Sequence, residues 1–192
     1  MRKKISLMLM IILLTGCFSI LPIASANESR GCKEDVLAVL SEIGLLSSEE
    51  TGEANLASVI TRAEFSQYVA KILNITYADS GVLFQDIPAD SFYIKSINGL
   101  VDAGVISVPG DLKFNPDAAI KYDEAVKMVV CAAGYSELAT VKGGYPAGYI
   151  AVASESGMLD NVQVADKNSL TVGESLQILY NASTVGYYEK KC

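Results

Sequence analysis

The sequence predicts a mostly α-helical protein made of three copies of one helix–loop–helix unit, and three observations predict it. The chain repeats itself at an offset of 60 residues: Leu37, Leu40, Gly44, Ile60, Glu64 and Val69 fall opposite Ile97, Leu100, Gly104, Ile120, Glu124 and Val129. A third copy follows at a shorter spacing, with Ile150, Gly157 and Met158 echoing the first half and Leu170, Glu174 and Ile178 the second. Within each copy the apolar residues recur at helical spacing. Units of this size do not bury an apolar face alone, so the copies must pack on one another. Such an architecture points to a binding or scaffolding module.

The elements follow in order. Copy one runs as a helix from Asp35 to Gly44, loops through the polar stretch Ser47 to Asn55 and resumes as a second helix at Thr61. In copy two, Asp90 or Ser91 is placed to cap a helix whose inward positions are Ile94, Ile97, Leu100 and Val101. Gly104 ends it, as a glycine after the last apolar turn does. Val105-Ile106 reads as a short β-like run, Pro109-Gly110-Asp111 as a turn, and Phe114-Asn115-Pro116 as the lead into a helix carrying Ala125, Met128, Val129 and Ala132 that stops by Gly134. Copy three holds Tyr149, Ile150, Val152 and Ala153 before Gly157, and its second helix begins near Thr171 with Leu176, Ile178 and Leu179 inward. Stretches 76–81 and 136–144 read as connectors. The expected total is six helices in three pairs.

The ends set the compartment. Arg2, Lys3 and Lys4 precede an apolar run from Ile5 to Leu14 that continues loosely to Ile23, and Ala24-Ser25-Ala26 supplies the small residues of a cleavage site. This is the pattern of a secretory signal peptide, residues 1–26. Leu14-Thr15-Gly16-Cys17 also resembles a lipoprotein box with Cys17 as the lipidated residue, although Phe18, Ile20, Leu21 and Ile23 keep the following run apolar. Either reading takes the protein out of the cytoplasm. The remaining 166 residues suit one domain of ordinary size. Removing Arg2, Lys3 and Lys4 leaves 12 basic residues against 22 acidic ones, a net charge of −10. Nucleic acid, which requires a basic face, does not fit. The mature sequence has no second apolar run long enough to span a bilayer. The expected division is a first copy over 27–77, a second over 78–137, a degenerate third over 138–183 and a tail over 184–192.

Cys131 lies in an apolar run, Met128 to Ala133, and reads as a small buried hydrophobe. Cys32 and Cys192 stand near the two ends, and their spacing matches no metal motif. No metal and no cofactor is expected. The chain has no histidine, which removes triads with a histidine base and His-based metal sites. Asp86, Asp90, Asp102, Asp117 and Asp123 sit at expected caps and turns rather than in a pair suited to glycoside hydrolysis, and no phosphate-cradling glycine loop is present. No catalytic residue is assigned, and an enzyme is not the expected reading.

The sharpest local motif is Ile60-Thr61-Arg62-Ala63-Glu64-Phe65. Thr61 and Glu64 form a capping box, repeated by Thr171 and Glu174. Arg62 takes the first helical position, where no core needs it. Its planar fork suits a carboxylate or phosphate, and the free amides of the helix start favour the same anion. A solvated arginine paired with Glu64 or another acid is the equal alternative on the residues alone.

This motif, with Phe84-Gln85-Asp86-Ile87 and Gly104-Val105-Ile106 followed by Phe114-Asn115-Pro116, resembles the S-layer homology (SLH) domain. The resemblance covers roughly residues 33 to 183. It implies a pseudo-threefold, three-pronged spindle around a central helical bundle, with ligand held in grooves between prongs. It also implies noncovalent attachment of an exported bacterial protein to cell-wall polysaccharide, often bearing anionic pyruvate ketals. The arginine of the family's Thr-Arg-Ala-Glu motif, here Arg62, is the typical anion contact. The departures are plain. Lys121-Tyr122-Asp123-Glu124 stands where copy two should repeat the motif, and Val172 replaces the arginine in copy three. The family's usual tryptophan is missing; Phe92 takes its place in copy two, Tyr145 in copy three and Cys32 in copy one. The expected ligand contacts are therefore Arg62, Lys121 as a weaker substitute, Asp86, Phe92 and Tyr145. A module that keeps this fold but binds another envelope protein is the alternative reading.

Overall fold

The protein is described here by a computed structural model covering residues 34–42, 46, 53–77, 81 and 83–186. Among these residues it is helical with no sheet. The helices are α1 (Glu34–Glu42), α2 (Glu53–Leu56), α3 (Arg62–Ile72), α4 (Ile94–Asp102), α5 (Tyr122–Ala132), α6 (Ser136–Val141), α7 (Ala147–Glu155) and α8 (Val172–Thr184). The signal segment, Cys17, Cys32 and Cys192 lie outside the described residues.

The second helices of the three copies, α3, α5 and α8, pack against one another pairwise. The first helices pack crosswise: α4 of copy two lies on α3 of copy one, α7 of copy three on α5 of copy two, and α1 of copy one on α8 of copy three. The helix pairs expected within copies are thus formed between them, and the set closes on itself. Each copy leaves an apolar face that its neighbour covers, which is why the repeated pattern of Leu, Ile and Val is the strongest signal in the chain.

The residues just before the three central helices complete the closure. The Ile60 amide donates to the Leu170 carbonyl at 3.0 Å, the Ile120 amide to Ile60 at 3.2 Å, and the Leu170 amide to Ile120 at 3.1 Å. A second cycle runs the other way, from the amides of Arg62, Tyr122 and Val172 to the carbonyls of Ala118, Lys167 and Ser58. These amides belong to helix starts and have no intrahelical partner, so each copy satisfies its neighbour's orphan donor. Ile60, Ile120 and Leu170 are fully enclosed. The result brings the N-termini of α3, α5 and α8 to one end of the molecule.

α8 is the most deeply set helix. Every residue from Val172 to Leu179, together with Asn181 and Ala182, is buried, and α8 touches α1, α2, α3 and α5. Among its polar residues, the Asn181 side-chain amide donates to the Met158 and Asp160 carbonyls and Gln177 donates to Asn181, while the buried Ser175 hydroxyl has no hydrogen-bond partner.

Several local expectations are corrected. Residues 136–144, read as a connector, contain α6, which packs on α7. Val105-Ile106 forms no strand; both amides turn back to the Leu100 carbonyl and finish α4. The helix of copy two begins at Ile94, after Tyr93, so neither Asp90 nor Ser91 is its N-cap; the Ser91 hydroxyl accepts from the Tyr93 amide before the helix begins. Val101 is half-buried rather than a core position, and so is Cys131, whose thiol burial pushes upward in pKa despite Lys127 nearby. Gly104 meets its expectation, ending α4 at φ +71°.

Candidate functional site

Three equivalent helix starts meet at one end of the bundle, and their chemistry differs. At α3, the Thr61 hydroxyl accepts from the Glu64 amide, while Glu64 Oε2 accepts from the Thr61 amide and hydroxyl, both at 2.8 Å. At α8, Thr171 and Glu174 repeat the box, and Glu174, 2 % exposed, also accepts from the Ala165 amide through Oε1. At α5 the cap residue is Lys121, which has no acceptor to offer. Only the return contact survives there, from the Lys121 amide to Glu124 Oε2 at 3.3 Å.

Arg62 reaches from α3 across to copy two. Its Nη1 lies 3.3 Å from Glu124 Oε1, the two side chains being 23 % and 32 % exposed. Its guanidinium carbon sits 4.9 Å from the centroid of the Phe114 ring, a cation–π arrangement. Arg62 Nε is enclosed and has no hydrogen-bond partner. The pairing with Glu64 that the sequence left open does not occur; the acid comes from the other copy.

Phe114 is itself held in place. Its ring packs on Phe84 at 5.2 Å between centroids. Its amide, with that of Asn115, donates to the Asp86 carboxylate at 2.7 to 3.1 Å. Burial pushes the Asp86 pKa up, but these amides and the Lys113 charge outweigh it, so the group ends below its ordinary value. Asn115 takes φ +59°, a conformation asparagine tolerates better than most residues. Asp86 therefore faces backbone amides and supports the platform under Arg62.

Asp123, the residue before Glu124 on α5, accepts from the Tyr145 hydroxyl at 2.5 Å. Tyr145 is 49 % exposed and comes from the segment leading into α7; Lys127 Nζ lies 5.5 Å from its ring centroid. The Tyr145 pKa is pushed up to about 12, first by burial, then by the bond to Asp123 and the charges of Asp123 and Glu124, against a lowering by Arg62. Arg62, Glu124, Asp123, Lys127 and Tyr145 thus form one cluster between copies, with two cations against two carboxylates.

Of the five residues singled out in the sequence, the structure brings Arg62 and Tyr145 into this cluster. Asp86 acts beneath it through Phe114. Lys121 is exposed at the start of α5 and joins only through its backbone bond to Glu124. Phe92 is 77 % exposed, with its ring edge-on to Tyr93. The sequence did not single out Glu124, Asp123, Lys127 or Phe114 as site residues. Glu124 was visible as the register partner of Glu64, but nothing in the spacing said that the closed cycle of copies would set it against Arg62.

Among the described residues no group of three or more Cys, Asp or Glu side chains is placed to hold a metal, and no helix is long and apolar enough to cross a membrane.

Residues 83–126 match the S-layer homology domain, so the resemblance read in the sequence holds for the second copy. The chain is 27 % identical over 161 residues to the middle cell wall protein of Brevibacillus brevis, covering 82 % of this chain and 15 % of that protein. It is 25 % identical over 167 residues to a surface-layer 125 kDa protein of Lysinibacillus sphaericus, covering 79 % and 14 %. A cell surface protein of Thermoanaerobacter kivui is 26 % identical over 133 residues, covering 66 % and 16 %. The aligned region is therefore a small part of each of these relatives.

Proposed function

We propose that this chain is an anchoring module of the bacterial cell surface, attaching noncovalently to an anionic, pyruvylated secondary cell-wall polysaccharide. The observation that carries the reading is Arg62. It stands at the start of α3, on an aromatic platform, beside the α5 carboxylates of copy two and the half-exposed Tyr145 of copy three. A guanidinium at a helix N-terminus attracts an acidic substituent, and an exposed aromatic face stacks on a sugar ring. The S-layer homology match and the cell-wall and surface-layer relatives support the same reading.

In this proposal the helix-packing cycle is that of a three-pronged spindle of three SLH repeats, over 27–77, 78–137 and 138–183. Residues 1–26 direct export, and the module works at the cell wall. Arg62 and Tyr145 contact the glycan, Asp86 acts indirectly, Lys121 lies beside them at the start of α5, and Phe92 stands apart against Tyr93. The other two helix starts carry Tyr122, with Lys167 over its ring, and Val172, which is buried, so one cleft of the three binds the anion.

Co-sedimentation with purified cell-wall sacculi tests this. The chain should pellet with intact sacculi and remain in solution when the secondary polysaccharide has been stripped by mild acid. Pelleting that survives stripping would move the module to another wall component. Retention only by envelope fractions that contain protein would favour the protein-interaction alternative.

A further inference from the structure

The Arg62 guanidinium is not free to receive an anion in the usual two-pronged way. Its side-on fork, Nε with Nη2, has Nε enclosed over Phe114. Its end-on fork, Nη1 with Nη2, has Glu124 Oε1 at 3.3 Å from Nη1. A carboxylate arriving from solution therefore meets a site already half filled by a carboxylate.

The three equivalent glutamates provide an internal comparison. Glu64 is fixed by an amide and a hydroxyl at 2.8 Å, and Glu174 by two amides at 2.8 Å in a buried setting. Apart from its pairing with Arg62, Glu124 is held by one longer bond, 3.3 Å, from the Lys121 amide, and its side chain stays 32 % exposed. Lys121 in place of threonine is the cause, since no hydroxyl is present to hold the carboxylate back. Glu124 is the least restrained of the three, and it is the one that faces the arginine.

We infer that Glu124 is the specificity-determining residue of this cleft: an exchangeable internal carboxylate that occupies Arg62 until a carboxylate-bearing glycan displaces it. This deepens the anchoring reading and rests on it. Neutral sugars cannot make the exchange, because removing Glu124 would leave the guanidinium unpaired over Phe114. A ligand that brings its own carboxylate replaces one ion pair by another and gains the sugar contacts in addition. Asp123 does not compete in the same way, because it accepts from the Tyr145 hydroxyl.

The test is Glu124→Gln, which keeps an oxygen for the Lys121 amide and removes the charge. The probe is the methyl glycoside of a hexose carrying a 4,6-pyruvate ketal, titrated by calorimetry or NMR beside the unsubstituted methyl hexoside. Glu124→Gln should bind the ketal roughly two- to fivefold more tightly than wild type, the range of a part-exposed ion pair. The gain should vanish in Arg62→Ala/Glu124→Gln, and thermal melting should stay close to wild type. Glu124→Asp, shorter by one methylene, should fall between wild type and the Gln variant. Unchanged or weaker binding by both Glu124 variants, with Arg62→Ala abolishing ketal binding, would overturn the exchange while leaving the anchoring site in place. Ketal binding by none of the variants, with sacculus binding indifferent to Arg62, would overturn both.

Discussion

At the scale of single residues, small changes of chemistry set three similar positions apart. Arg62, Tyr122 and Val172 occupy the same place at the starts of α3, α5 and α8, and only the first offers a cation to the cleft. Its support comes from afar, since Asp86 fixes the loop that holds Phe114 beneath it. Asp86→Asn should lower stability at neutral pH and weaken glycan binding without touching the ligand. The sign follows from the lowered pKa of the folded state: the ionised carboxylate stabilises the fold above the unfolded-state value near pH 4 and loses that contribution as pH falls through the folded value. Melting temperatures from pH 7 to pH 2 should show a smaller acid-side decline for Asp86→Asn than for wild type; identical pH profiles would deny the group this role. Gly99 is a separate kind of constraint. A Cβ there would meet the Thr76 carbonyl oxygen at 2.3 Å, against backbone that cannot rotate away. Gly99→Ala should therefore cost about 1–3 kcal/mol, read from denaturant unfolding.

At the scale of elements, the three capping sites differ in a way that stability measurements will read. Thr171 caps the most buried helix, and Thr171→Ala should cost about 1 kcal/mol by loss of the cap. Lys121→Thr should do the reverse, adding the missing acceptor at α5 and stabilising by about 0.5–1 kcal/mol in urea unfolding. Destabilisation by both would mean that Lys121 contributes something the cap does not explain. Much at this scale was legible in the sequence. The second helices, their capping boxes at Thr61 and Thr171, and the stop at Gly104 follow from spacing and residue type. What could not be read was local and conditional. α6 arises in a polar, glycine-flanked stretch with little apolar periodicity, Ser136 to Val141, and is held by packing on α7. The start of α4 is set after Tyr93 by tertiary packing, which overrides the capping preference of Asp90 and Ser91.

At the scale of the whole molecule, the repeat signalled that units must pack on one another, but not in what order. The crosswise cycle, with α1 of the first copy lying on α8 of the last, joins the two ends of the described chain. It also explains why the site was only half legible: Arg62 and Tyr145 stand out in the sequence, whereas Glu124 is set against Arg62 only by the packing between copies. Because α8 touches α1, α2, α3 and α5, deleting copy three should unfold the remainder instead of leaving two stable units. A truncated chain that melts cooperatively near the full-length temperature would contradict that. The central claim, that the assembled module holds an anionic wall glycan at one cleft, is tested most directly by sacculus co-sedimentation of wild type, Arg62→Ala and Arg62→Lys across salt, with circular dichroism as the folding control. A partly desolvated, charge-assisted contact contributes roughly 1.5–3 kcal/mol, so Arg62→Ala should weaken wall binding by about tenfold or more while the Thr61 and Glu64 cap keeps the helix. Arg62→Lys should recover only part of that, and rising salt should weaken the wild type through screening. Equal, salt-insensitive binding by wild type and Arg62→Ala would contradict the account.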